Sequence, residues 1–307
     1  MVDTATSFWV LAFLTPLFWG IGVVIDKYVL SVRNLLHYLS YDVFAIWLSA
    51  PFAVLILLTA KVSLGLGAYI GIGVGFAYCF LYAVYDYGIS KKDATDVIAI
   101  TYTSPLFVAA VSWVILSEKL GVVNYLGVVL LMLSALVIGY KGIGKKNPAL
   151  AYVLVFAVGI AIARVFSKVA LAGVGVDAWS YLFWYTLGEN VGAVLLGLAL
   201  LKTGRLDSRI SALSAKGLGI IVAGVILTFA GYYAFYSAIS SGPVTSASGV
   251  TALTPSLVLV FSLAVPDLRK EALSKNSGWR STLLRRVIAV ILIVAGTLAI
   301  ISGQATA

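Results

Sequence analysis

The stretch "LAYVLVFAVGIAIARVFSKVALAG", residues 150–173, decides the fold class. It is apolar for longer than the roughly 20 residues that cross a bilayer as a helix. It does not alternate apolar and polar residues, so it is not a barrel strand. Yet Arg164 sits inside it, about 12 Å from the end of the run at the helical rise per residue. A charge at that depth costs roughly 2.5 kcal/mol or more. It needs a partner and implies a use.

The rest of the chain has the same character. Of 307 residues, 62% are hydrophobic and 11% charged, against about 25% charged in soluble domains. This composition excludes an ordinary soluble protein and predicts a multi-pass membrane protein in the lipid bilayer, assigned to the cell membrane. The net charge of +9 falls mostly in loops, so it reads as a topology signal and not as a nucleic-acid surface. The first apolar run begins near Phe8 with no basic residue before it. It reads as a first membrane helix and not as a secretory signal. Cys79 is the single cysteine and His37 the single histidine. Neither a disulfide, a metal site nor a catalytic triad can be assembled from them, so no cofactor and no enzyme activity are expected. "GYKGIGKK" (139–146) approaches a phosphate-binding loop, but Lys146 replaces the hydroxyl and no strand precedes it,.

Ten runs are long enough to span: 8–30, 38–60, 65–89, 94–116, 121–140, 149–172, 178–201, 216–240, 244–265 and 283–302,. The segment 266–286 is polar and basic, with the length of a helix lying on the membrane surface. The chain also repeats itself. Residues 82–112 lie over 232–262 without a gap, matching Tyr82 to Tyr232, Thr101 to Thr251, Pro105 to Pro255 and Ser112 to Ser262; Lys27 falls on Lys168. Two units follow, 1–143 and 149–307. Five helices in each would insert the second unit upside down. Inverted repeats place a binding site near the midplane between them. The fold expected is therefore all-α, with ten membrane helices in two inverted five-helix repeats around a central cavity.

"PLFWG" in the first helix, the proline-centred fourth helix and "SEKLGVVNYLGVVLLMLSALVI" resemble the EamA-type repeat of the drug/metabolite transporter superfamily. The resemblance covers nearly the whole chain as two tandem repeats. It implies ten helices, alternating access, and Trp19 and Tyr102 as cavity residues. In the second half "PDLRKEAL" replaces the tight acidic turn of that pattern. The resemblance implies both termini inside. The basic loops 31–37, 91–93, 141–146, 202–216 and 266–286 all fall on the opposite side from the termini, which by the charge rule puts the termini outside.

Small residues in "GLGAYIGIGVG" (65–75) and "GLGIIVAG" (217–224) recur at spacings of four, which suits close helix packing,. Pro105 and Pro255 predict matched kinks, and so a hinge. Tyr78, Tyr82 and Asp86 share one helical face, as do Thr228, Tyr232 and Tyr236,. Glu189 lies at a depth close to that of Arg164, and Tyr185 precedes it by one turn. Glu189 is therefore the expected ion-pair partner of Arg164.

These residues predict a secondary active transporter that exports a small polar or zwitterionic solute, such as an amino acid. Arg164 would hold a carboxylate. Glu189 would hold an amine or carry a proton in a coupled cycle. Trp19, Tyr82, Tyr102, Tyr185 and Tyr232 would form an aromatic wall, with Asp86 beside them. Two other transport readings stay open: export of lipophilic cations, using Glu189 and Asp86, and exchange of phosphorylated or nucleotide sugars. A non-transporting membrane enzyme or scaffold is the reading of a different class.

Overall fold

The structure, a computed structural model, describes residues 4–91, 101, 103–139, 148–268 and 279–304. Among the described residues it is helical, with no strand. The helices are α1 (Thr4–Lys27), α2 (Tyr38–Trp47), α3 (Ala50–Thr59), α4 (Leu66–Lys91), α5 (Ser104–Leu116) and α6 (Val122–Gly139). They continue as α7 (Pro148–Lys168), α8 (Ala178–Lys202), α9 (Ala215–Ser241), α10 (Val244–Thr251), α11 (Thr254–Ala264) and α12 (Trp279–Gln304). Seven helical stretches are long and apolar enough to cross a membrane: Thr6–Leu30, Tyr38–Thr59, Leu66–Tyr87, Leu154–Gly173, Ala178–Lys202, Ala215–Ser241 and Val244–Ala264. Ser104–Leu116, Val122–Ser134 and Val287–Gly303 are shorter apolar helices. Leucines and valines such as Leu58, Leu64, Val114 and Val122 stand exposed on the outside. Lipid, unlike water, accepts that surface. Residues 140–146 lie outside the described residues, as do 269–278 of the surface helix expected over 266–286, while 279–286 form the start of α12.

Two of the expected runs are interrupted. Residues 38–60 divide into α2 and α3 at Leu48–Ser49, and residues 244–265 divide into α10 and α11 at Ala252–Leu253. Pro51 and Pro255 each sit in the first turn of the second piece, where proline's missing N–H costs nothing. Pro105 has the same place in α5. The expected kinks at Pro105 and Pro255 thus become fresh helix starts. At the second break the chain tightens, with Ala252 and Leu253 donating to the carbonyls of Gly249 and Val250 at 2.9 and 3.1 Å.

Certain local features occur twice. A π-helical turn follows Lys27 (Tyr28–Val32) and another follows Lys168 (Val169–Gly173). The next helix carries "SY" in its first turn in both cases, Ser40–Tyr41 and Ser180–Tyr181. Tyr41 donates to Asp26, and Tyr181 donates to Ser167 at 2.7 Å. In each case the acceptor is the residue before the lysine.

Glycine sets the tightest contact. A side-chain carbon at Gly75 would fall on the Tyr185 carbonyl, and one at Gly188 on the Ile72 carbonyl. The helices α4 and α8 therefore touch backbone to backbone. α4 also packs along α7, so it stands between α7 and α8, which follow one another in sequence. One loop contact closes the end that carries His37. Asp207 accepts from the His37 N–H at 2.8 Å and from the Arg209 guanidinium at 2.7 Å. The Arg209 hydrogen bond holds the Asp207 carboxyl down at about 2, so the contact is lost only as pH falls through that value.

Gly75→Ala and Gly188→Ala should each destabilise the protein by ~1–3 kcal/mol through overpacking. Gly73 has nothing within 4 Å of its added carbon, so Gly73→Ala should leave the melting temperature unchanged or slightly raised. Thermal melts of the three variants in one detergent check this.

Candidate functional site

Two adjoining cavities lie inside the bundle. One is walled by four carboxylates, those of Asp26, Asp42, Asp86 and Glu189, with Tyr41, Tyr82, Tyr85, Thr228 and Tyr232 among its other residues. No basic side chain is among the described residues that line it. The other is walled by Arg164, Trp19, Thr101, Ser104 and Phe156. Asp26, Tyr82, Tyr85 and Thr228 line both. An acidic chamber thus shares a wall with a chamber holding one arginine.

The four acids come from four helices. Asp26 ends α1 just before the π turn, and it accepts from Tyr41. Asp42 is one turn into α2 and is 6% exposed. Its Oδ2 is buried with no hydrogen-bond partner. Asp86 lies on α4, 5% exposed, and Glu189 on α8, 6% exposed. The Tyr185 hydroxyl donates to Glu189 Oε1 at 2.5 Å. Asp42 stands within electrostatic reach of Glu189 and Asp26, and Asp86 within reach of Asp42 and Asp26. Like charges gathered in an apolar bundle require a cation between them, supplied by protons or by a solute.

Arg164 is 5% exposed. Its guanidinium lies over the rings of Phe235 and Trp19, 4.9 and 5.4 Å from their centroids. Such faces attract a cation at this range. Nη1 donates to the Thr251 hydroxyl at 3.3 Å, and the Tyr78 phenol is a further neighbour. Nε has no partner, and neither has the buried Trp19 Nε1. Two residues that line this chamber therefore each carry a buried donor without an acceptor. Water or an anionic oxygen would satisfy both.

The expected Arg164–Glu189 ion pair is absent. Depth along the membrane is similar, but α4 separates α7 from α8. Tyr185 takes the carboxylate, and Thr251 with two aromatic rings takes the guanidinium. Connection by a short link implied contact, and the packing order overrode it.

The other expected residues converge in part. Trp19 and Tyr232 meet edge to face at 5.7 Å, Tyr185 and Tyr232 at 5.1 Å. Tyr82, Tyr232, Asp86 and Glu189 line the acidic chamber, and Trp19, Tyr82 and Arg164 the other. Tyr102 lies outside the described residues. Asp26, Asp42, Tyr41 and Thr251 were not anticipated. Asp26 stands beside Lys27 and Asp42 one turn past a loop, places where a charge commonly meets water. The repeated "SY" was the available signal, since it marks matched first turns. Among the described residues no three of His, Cys, Asp and Glu converge as metal ligands would.

The arrangement defines a multi-pass helical membrane protein with a charged chamber inside its bundle. Residues 7–140 match the family model described as "EamA-like transporter family". That stretch is similar to the EamA-like transporters, a family of the drug/metabolite transporter superfamily. No protein curated for function matches the chain in sequence. A solved structure described only as "Crystal structure of protein" is similar in fold, with TM-score 0.66 and 15% identity, covering 95% of this chain and 98% of its own. That likeness concerns the fold alone.

Asp42→Asn removes a buried carboxylate oxygen that has no partner, so it should leave the melting temperature unchanged or raise it. A drop as large as those of the glycine variants would show that Asp42 is a structural residue.

Proposed function

We propose that the protein is a secondary active transporter that exports a small zwitterionic metabolite, of the amino-acid class, across the cell membrane by alternating access. One observation carries this reading. Arg164 and Trp19, which line one chamber, each carry a buried donor without a partner, and Asp42, which lines the chamber sharing its wall, carries a buried acceptor without one. A solute with a carboxylate at one end and an amine at the other would satisfy both. Asp42, Asp86 and Glu189 take the amine, and protons occupy the acids when the solute is absent. Tyr82, Tyr185, Tyr232 and Trp19 enclose what lies between.

The protein crosses the membrane ten times in this reading, as two inverted repeats over 1–143 and 149–307. The recurring π turns after Lys27 and Lys168 and the paired "SY" turns support it. So does the proline in the first turn of α5 and of α11. These starts, at Pro105 and Pro255, act as the hinges. The termini lie opposite the basic loops. Members of the family are transporters, which favours a non-enzymatic role.

Export of lipophilic cations is a second reading, supported by the absence of any base among the described residues lining the acidic chamber. Proteoliposome flux separates the two. The first reading expects uptake of labelled amino acids, lost by about 10- to 100-fold in Arg164→Ala, the worth of a charged hydrogen bond. Asp42→Asn should lose a similar factor. Flux of an aromatic quaternary amine that survives Arg164→Ala, with no amino-acid flux, would establish the second. Flux of neither would overturn the transport reading.

A further inference from the structure

The end of the bundle away from His37 and Asp207 is held by two charges that neither chamber uses. Lys168, the last residue of α7, donates from Nζ to the carbonyls of Ile239 and Gly242 at 2.6 and 2.9 Å. These belong to the C-terminal end of α9, where carbonyls lack helical partners and a cation is favoured. Glu118 follows α5 and accepts through Oε1 from the Thr245 N–H at 3.2 Å. Thr245 is in the first turn of α10, where an N–H lacks a partner and an anion is favoured. Ser112 of α5 shares a 2.8 Å hydrogen bond with the Thr245 hydroxyl. The short link Gly242–Pro243 is thus gripped from α7 on one side and from α5 on the other. Glu118 Oε2 is buried and unpaired, so the grip is not saturated. Each contact joins a charge to a helix end. On separation, water satisfies both partners, so the grip can open reversibly.

The helix α10 joins this grip to the site. All eight of its residues are buried, and they span about 12 Å. Thr245 at one end is in the grip. Thr251 at the other accepts from Arg164 Nη1 at 3.3 Å, longer than the 2.7–2.9 Å typical of a charge-assisted bond. An anionic group reaching Arg164 competes with Thr251 on favourable terms.

We propose that Glu118 and Lys168 form the gate at this end of the transporter, and that α10 carries occupancy of Arg164 to that gate. The coupling half rests on Arg164 being a solute ligand. With the chamber empty, the Arg164–Thr251 contact keeps α10 in place and the gate shut. A carboxylate that draws the guanidinium away frees α10, and the grip on Thr245 loosens. Coupling of this kind is reciprocal, so opening the gate tightens binding.

The test places a reporter cysteine at Val244, which is fully buried between the two gripping residues, in a Cys79→Ala background. A membrane-impermeant maleimide reads its exposure in proteoliposomes. The gate predicts slow labelling, accelerated about tenfold or more by Glu118→Gln and by Lys168→Gln without any solute. Ser112→Ala is the milder variant should either elute as aggregate, and it should accelerate labelling a few-fold. Thr251→Val should accelerate labelling without solute. An equimolar amino-acid mixture should do so with Thr251 in place and add nothing in Thr251→Val. Labelling that stays slow in the gripping variants overturns the gate. Fast labelling in those variants, with Thr251→Val and the mixture both silent, overturns the coupling. Fast labelling in a protein that moves no solute leaves the gate standing and sinks the transport reading instead.

Discussion

Ionised groups buried in an apolar bundle must be paired, hydrogen-bonded or supplied with a ligand. Four carboxylates and one arginine meet that constraint here without pairing across. All four acids line one chamber and the arginine lines the next, which Asp26 also borders. Replacing such groups with apolar side chains commonly costs nothing or stabilises a fold. Their retention as separated, partly unsatisfied charges makes sense when the missing partners arrive with a solute.

The separation is imposed by packing. α4 approaches α8 as closely as backbones allow, because Gly75 and Gly188 carry no side chain. In that position α4 lies between α7 and α8. Arg164 and Glu189 are thereby kept in different surroundings. The tyrosines on α4, α8 and α9 meet in the space left, with Tyr78 5.3 Å from Tyr185 and 6.3 Å from Tyr232. The same contact that builds the bundle therefore divides its polar interior.

Much of this is legible from residues alone. Run lengths placed most of the long helices to within a few positions, though two runs are each two helices and much of the start of 94–116 lies outside the described residues. Of the glycines read as contact positions in 65–75, Gly67, Gly71 and Gly75 meet a neighbour while Gly65 and Gly73 meet nothing. Facing stripes on two helices brought out Tyr82, Asp86 and Tyr232. What failed was neighbour order. Depth along a helix follows from counting residues, but the direction a side chain faces depends on which helix packs beside it. That choice is made by non-local contacts, so Arg164 was given to Glu189. Asp26 and Asp42 escaped notice for a related reason. Charges near helix ends normally face water, and only the inward tilt of those turns puts them in a cavity.

The repeated turns and the charge asymmetry tell different stories about the halves. Tyr41 and Tyr181 make matching hydrogen bonds, but the acceptor is Asp26 in one half and Ser167 in the other. Scaffold is shared and chemistry is not. The two-ended chamber is the central claim. Titration calorimetry of the purified protein with an amino acid, its methyl ester and its N-acetyl derivative tests it most directly. The intact zwitterion is predicted to bind at least about tenfold more tightly than either half-blocked form, as loss of a charged hydrogen bond requires. An ester that binds as tightly as the parent would show that Arg164 and Trp19 read no carboxylate, and would contradict the account.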